Sequence, residues 1–242
     1  MDRKDEAKHS IGKITIGIRE DTLVLEIVAF IRQQLPSWRD DPDRAQEQAE
    51  NRLNLQLCKF LDSRARDEFP MVRFDHEEYQ GGRRSVDLSA SLAEPTMIDA
   101  RVHTIYDPIL VIEGKRLPAP SSDREKEYVT GGEDETSGGI QRFKLGLHGA
   151  SLNTVAMVGY IQKQTARHWY NQVNTWISEL VGGTNQDSCT WNETEKLMLL
   201  EEDVQKGISS SRSVHIRSNR VSSRKIMIHH LWIAIYYKQK RV

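Results

Sequence analysis

The segment Thr154-Val-Ala-Met-Val-Gly-Tyr-Ile161 constrains the fold more than any other stretch, because it is apolar at both odd and even positions and carries no charge. A strand that is apolar on both faces must be covered on both faces, so it belongs at the centre of a sheet. Gln164–Val181 follows it with Trp169, Val173, Trp176 and Leu180 at helical spacing. Such a β-α unit implies a sheet covered by helices. With 242 residues the chain has room for one α/β core with extensions.

The other segments fit the same class. Residues 11–18 alternate as a short strand does, and 21–35 read as a helix that stops before Pro36. Pro36-Ser-Trp-Arg-Asp-Asp-Pro42 reads as a linker. From Asp43 to about Arg66, Leu53, Leu57, Phe60 and Leu61 sit at helical spacing, which predicts a long amphipathic helix. Three strands are expected next, at 70–78, 84–92 and 109–117, with a turn at Gly81-Gly82. Residues 93–107 suit an extra hairpin or an extended loop. Residues 118–139, rich in Pro, Ser, Gly and Glu, read as a mobile surface loop. A helix is expected from Ile140 to near Gly146 or Gly149. Ser213–Arg217 and Lys225–Tyr237 read as two paired strands. The expected division is an N-terminal extension (1–42), a core (43–182) and a basic C-terminal extension packed on it (183–242).

The chemistry concentrates in Pro108-Ile-Leu-Val-Ile-Glu-Gly-Lys115, an apolar strand that ends in charge. Side chains repeat every two residues along a strand, so Glu113 and Lys115 share a face. An earlier strand, Arg84-Ser-Val-Asp-Leu-Ser-Ala90, carries Asp87 between apolar neighbours. The pattern Asp87…Glu113-x-Lys115 resembles the PD-(D/E)xK nuclease superfamily. The likeness extends to Glu50 in Ala49-Glu-Asn-Arg-Leu53 on the preceding helix, and to Gln141 in Gln-Arg-Phe-Lys on the following one. It covers roughly residues 45–180. Two departures stand out: Val86 replaces the Pro of the name, and the Asp-to-Glu separation of 26 residues is long enough for an insertion.

That resemblance implies a restriction-endonuclease-like core with a central mixed sheet. It also implies a Mg²⁺-dependent phosphodiesterase, with Mn²⁺ able to substitute, acting on DNA rather than RNA. Asp87 and Glu113 would be metal ligands, with the Gly114 carbonyl a third and Glu50 a fourth or a ligand through water. Hard oxygen donors suit such an ion, and Lys115 would orient or deprotonate the attacking water and stabilise developing charge, with Gln141 as catalytic support. A restriction or phage-defence effector is the implied setting, with a homo-oligomer or partner subunit supplying specificity or activation. The bland reading makes Glu113 and Lys115 a surface pair worth at most about 1 kcal/mol. A catalytically silent binding or assembly subunit, or a purely structural domain, would be the other classes. Asp99 is a rival to Asp87, but it follows Pro95-Thr-Met-Ile and fits an inserted hairpin better.

The net charge of −1 hides a partition: nine of the 34 basic residues and none of the 35 acids fall in 204–242, leaving +9 there and −10 elsewhere. A basic segment on an acidic body suits a polyanion, with Arg142, Lys144, Arg217, Arg220 and Arg224 the expected nucleic-acid contacts. Neutralisation across an internal or subunit contact is the alternative. Ser213, His215 and Arg217 alternate onto one face, suiting either a phosphate or a solvated edge. Glu133, Asp134 and Glu135 read as solvated charge. Adjacent His229 and His230 point oppositely along a strand and give no zinc signature. Gly131–Gly139 lacks the Gly-Lys-Ser/Thr ending of a phosphate-binding loop. No apolar run approaches the roughly 20 residues needed to cross a bilayer, the N-terminus lacks a signal-peptide core, and Cys58 and Cys189 do not form a metal-type pair. Together these suggest a cytoplasmic protein.

Overall fold

A computed structural model describes residues 19–81, 84–132, 135–183, 187–217, 221 and 223–235. The expected strand at 11–18, Gly82, Glu133, Asp134 and Arg220 lie outside the described residues. In chain order the elements are α1 (Glu20–Asp40), α2 (Glu50–Glu68), β1 (Val72–Gly81), β2 (Arg84–Leu92), β3 (Thr96–Ile98), β4 (Arg101–His103), β5 (Pro108–Leu117), α3 (Gly139–Lys144), β6 (Thr154–Ile161), α4 (Ala166–Val181), β7 (Met198–Asp203), β8 (Ile208–Ile216) and β9 (Lys225–Ala234).

Seven strands form one mixed sheet in the order β1-β2-β5-β6-β9-β8-β7, while β3 and β4 pair separately as a hairpin. The apolar β6 takes the central place its sequence demands, parallel to β5 on one side and β9 on the other. All other neighbours are antiparallel. Side-chain alternation divides the core into two layers. Leu110 and Ile112 of β5 and Ala156, Val158 and Tyr160 of β6 face α1 and α2. Val111, Val155 and Met157 face α3 and α4. On α1, Leu23, Ile27, Ile31 and Leu35 recur one turn apart and are fully buried, each stabilising the layer by about 1.5–3 kcal/mol. The protein is therefore an α/β chain with a mixed sheet flanked by helices, and no helix among the described residues is long and apolar enough to cross a membrane.

The structure corrects several local expectations. Pro36 does not end α1 but lies inside it, and Trp38, expected in a linker, is buried. Its ring lies 5.7 Å from that of Tyr160 and 4.9 Å from the Arg44 guanidinium. An interior Pro costs about 3 kcal/mol through its missing N–H and ring clash, and burial of Leu35 and Trp38 on either side offsets that cost. The second helix begins at Glu50, seven residues later than Asp43. In the segment expected to be a mobile loop, Glu127, Tyr128, Val129 and Thr130 are buried. The carbonyls of Glu127, Tyr128 and Val129 accept the N–H groups of Gly139, Ile140 and Gln141, so this segment satisfies donors that the first turn of α3 leaves free. Residues 93–107 do form a hairpin, and Asp99 sits in its turn at φ +46°, accepting the Glu20 N–H. The solvated-edge reading of Ser213, His215 and Arg217 fails, since all three are buried and β8 has a neighbour on each side.

Candidate functional site

The β2–β5 register pairs Leu88 with Ile112, and the next positions along the two strands are Asp87 and Glu113. The ladder stops there. Instead, the Asp87 side chain takes over, its Oδ2 accepting the Gly114 N–H at 2.8 Å. Gly114 faces α2 so closely that an added Cβ would lie 1.9 Å from Asn54 Oδ1. That oxygen accepts the Tyr160 hydroxyl at 2.7 Å, while Asn54 Nδ2 is buried without a partner among the described residues. One turn earlier on α2, Glu50 reaches the same end of β5. Its Oε1 accepts the Lys115 ammonium at 2.9 Å and its Oε2 the Arg116 N–H at 3.0 Å. A carboxylate in the first turn of a helix is also favoured by the helix dipole.

Glu113 is buried within a ring of donors. Oε1 lies 3.2 Å from Lys115 Nζ and 2.8 Å from the Arg142 guanidinium, and Oε2 is 3.1 Å from His148 Nδ1. Burial pushes this carboxyl up, but Lys115, the His148 hydrogen bond and Arg142 outweigh it and hold the group down at about 2. Asp87 moves the other way. Burial and the Glu113 charge push its carboxyl up to about 8, against the pull of Lys115 and the Gly114 N–H. For Lys115, burial favours the neutral amine, yet Glu113, Glu50 and Asp87 together raise its pKa above 10.5. Lys115 therefore stays cationic at neutral pH.

The structure thus brings together Glu50, Asp87, Glu113, Gly114 and Lys115 from one helix and two strands. Gln141 lies elsewhere in the shell: its Oε1 accepts the Gly131 and Gly138 N–H groups at 3.0 and 3.3 Å, and its Nε2 is buried without a partner among the described residues. Arg142, expected on nucleic acid, instead pairs with Glu113 and donates to the Thr136 carbonyl. Lys144 is buried between both oxygens of Glu195, at 2.8 and 2.6 Å. Arg217 is buried and donates to the carbonyls of Phe143, His148, Gly149, Ala150 and Leu152. Among the described members of the expected basic set, Arg224 alone is exposed. Sequence reasoning missed His148, which stands in the α3–β6 connection with no spacing signal to tie it to Glu113.

Three carboxyl groups are hard oxygen donors of the kind that bind Mg²⁺, and burial first, then the Glu113 charge, raises the Asp87 carboxyl. In donor type the residues fit a divalent cation. In the present arrangement Lys115 bridges Glu50 and Glu113, and no three His, Cys, Asp or Glu side chains among the described residues are arranged to hold a metal. Compared with known families, characterised proteins and solved structures, the chain shows no match to any of them.

Proposed function

We propose that this protein is a Mg²⁺-dependent nuclease of the PD-(D/E)xK type that cleaves DNA, with a restriction-endonuclease-like core and a setting in restriction or phage defence. The observation that supports the reading is the meeting of Glu50, Asp87, Glu113 and Lys115 where β2 and β5 part. Asp87 and Glu113 would hold the ion, aided by Glu50 and the Gly114 carbonyl, and the ion, when bound, would supply an activated water and neutralise phosphate charge. Lys115, kept protonated chiefly by Glu113 and Glu50, acts as a fixed cation facing the developing negative charge rather than as a base. His148 holds the Glu113 carboxylate in orientation, while Arg142 occupies the Oε1 that a cation would take. Gln141 ties down the loop glycines beside it.

A second reading, a nuclease-like binding or assembly subunit without turnover, is favoured by one feature: both Glu113 oxygens are already engaged by protein donors. Incubating purified protein with supercoiled plasmid, with Mg²⁺ or with chelator, separates the two. Mg²⁺-dependent nicking supports the first. DNA binding without nicking at any divalent-ion concentration supports the second.

A further inference from the structure

Away from the carboxylate cluster, a cavity of about 530 Å³ opens between the end of α3, the 188–195 segment, the end of β8 and Arg224. Its lining includes Lys144, Trp191, Asn192, Glu195, Arg217 and Arg224, and none of Glu50, Asp87, Glu113 or Lys115. The charge there does not cancel. Lys144 and Glu195 neutralise one another at 2.6–2.8 Å. Arg217 is 3% exposed, yet its guanidinium donates to five neutral carbonyls, and among the described residues no carboxylate is paired with it. Burial lowers its pKa, as expected for a cation lacking a counter-ion. At the rim, Arg224 is exposed and carries a second positive charge. A buried charge is ordinarily paired, so a cavity walled by an unpaired guanidinium and rimmed by another is built for an anion.

From this geometry we infer that the cavity binds a phosphate monoester of mononucleotide size. The volume falls in the range of small-molecule pockets and is too confined for a duplex. Arg217 supplies field rather than hydrogen bonds, since its N–H groups already serve the α3–β6 connection. Direct contacts fall to Arg224, which can grip a phosphate with two donors, and to the exposed Ser188, Thr190 and Asn192. The cavity also touches the first site by a short route: Arg217 donates to the carbonyls of His148 and Gly149, and the His148 ring holds Glu113.

Titration calorimetry of the full chain with inorganic phosphate, adenosine 5′-monophosphate and a 5′-phosphorylated single-stranded oligonucleotide tests the inference. Binding of phosphate and the mononucleotide, weakened at least about tenfold by Arg224→Glu and by added salt, is the expected result. If only the oligonucleotide binds, and only with its 5′-phosphate, the ligand is a nucleic-acid end rather than a free nucleotide. Absence of binding by all three, or binding that Arg224→Glu leaves unchanged, overturns the site. Arg224 is a surface residue, so its variant should fold, and an unchanged melting temperature checks this. Asp87→Asn should leave phosphate binding intact while abolishing cleavage, so failure of the nuclease reading and failure of this one give different results.

Discussion

Two acid-to-amide changes one strand apart should have opposite effects on stability. Glu113→Gln removes the anion that Lys115, Arg142 and His148 surround, at 3.2, 2.8 and 3.1 Å. Removing one partner of a buried ion pair costs about 3–5 kcal/mol, because the remaining charges stay buried. In a chain of this size that lowers the melting temperature by about 6–20 °C. Asp87→Asn keeps an oxygen for the Gly114 N–H and resembles the protonated form that burial and Glu113 already favour. The sign follows from linkage. A carboxyl raised from 3.8 to about 8 keeps in the folded state a proton that the unfolded state releases, so its contribution to stability falls as pH rises through that interval. Asparagine abolishes this loss, so the variant should be at least as stable as the parent at pH 8 without metal. Urea unfolding at pH 8 with chelator, followed by tryptophan fluorescence, reads both. Equal costs for the two variants, or a larger cost for Asp87→Asn, would refute the assignment of a protonated Asp87 beside an ionised Glu113.

Gly114→Ala should cost about 2–4 kcal/mol, because the new Cβ would displace Asn54 and break its bond to Tyr160. In an Asn54→Ala background the same change should cost under about 1 kcal/mol, since the obstructing atoms lie beyond the Cβ of residue 54; equal costs in both backgrounds would contradict the packing. Acidification should destabilise the fold through His215 and His230, whose pKa values burial lowers from 6.5, and through Glu195. Burial pushes Glu195 up, but His215, Lys144 and the Ile216 N–H outweigh it and bring it from 4.5 to about 2. Stability from all three is present above the unfolded values and lost below them, first under pH 6.5 at up to about 1.4 kcal/mol per pH unit per histidine, then under 4.5. Measured in Asp87→Asn protein to remove the opposing trend, a flat profile from pH 7 to 5 would be inconsistent with neutral buried histidines. Arg142→Ala removes a cation competing for Glu113 Oε1, and calorimetry with Mn²⁺ should show several-fold tighter binding; weaker binding would mean that Arg142 orients the ligand more than it competes.

The central architecture could be read from the chain because it rests on patterns with a physical period. The runs at 84–92, 108–117 and 154–161 and the apolar face of 166–181 announce buried strands and a helix directly. Pro36 misled because propensity is local while the burial of Leu35 and Trp38 is tertiary. Strand β7 escaped notice because Met-Leu-Leu-Glu-Glu-Asp does not alternate and its side chains are largely exposed at the sheet edge. In the candidate site, Glu113 and Lys115 were recognisable from a strand ending in charge, Asp87 from a lone acid between apolar neighbours on an earlier strand, and Glu50 from its place ahead of an apolar helix face. Charge counts could not separate Arg224, which is exposed, from Lys144 and Arg217, which are buried on Glu195 and on backbone carbonyls. His148 was invisible because the contact that gives it meaning spans 35 residues and depends on how the α3–β6 connection folds back.

In the proposed mechanism Asp87 and Glu113 share one divalent cation. A crystal soaked in Mn²⁺, with anomalous diffraction recorded at the manganese edge, tests it most directly. If they share the ion, a peak appears with oxygens of both carboxylates at ~2.0–2.6 Å and the Lys115 ammonium shifts from Glu113 toward Glu50. Density showing Lys115 still bridging Glu50 and Glu113, with no peak between Asp87 and Glu113 at saturating Mn²⁺, would contradict it.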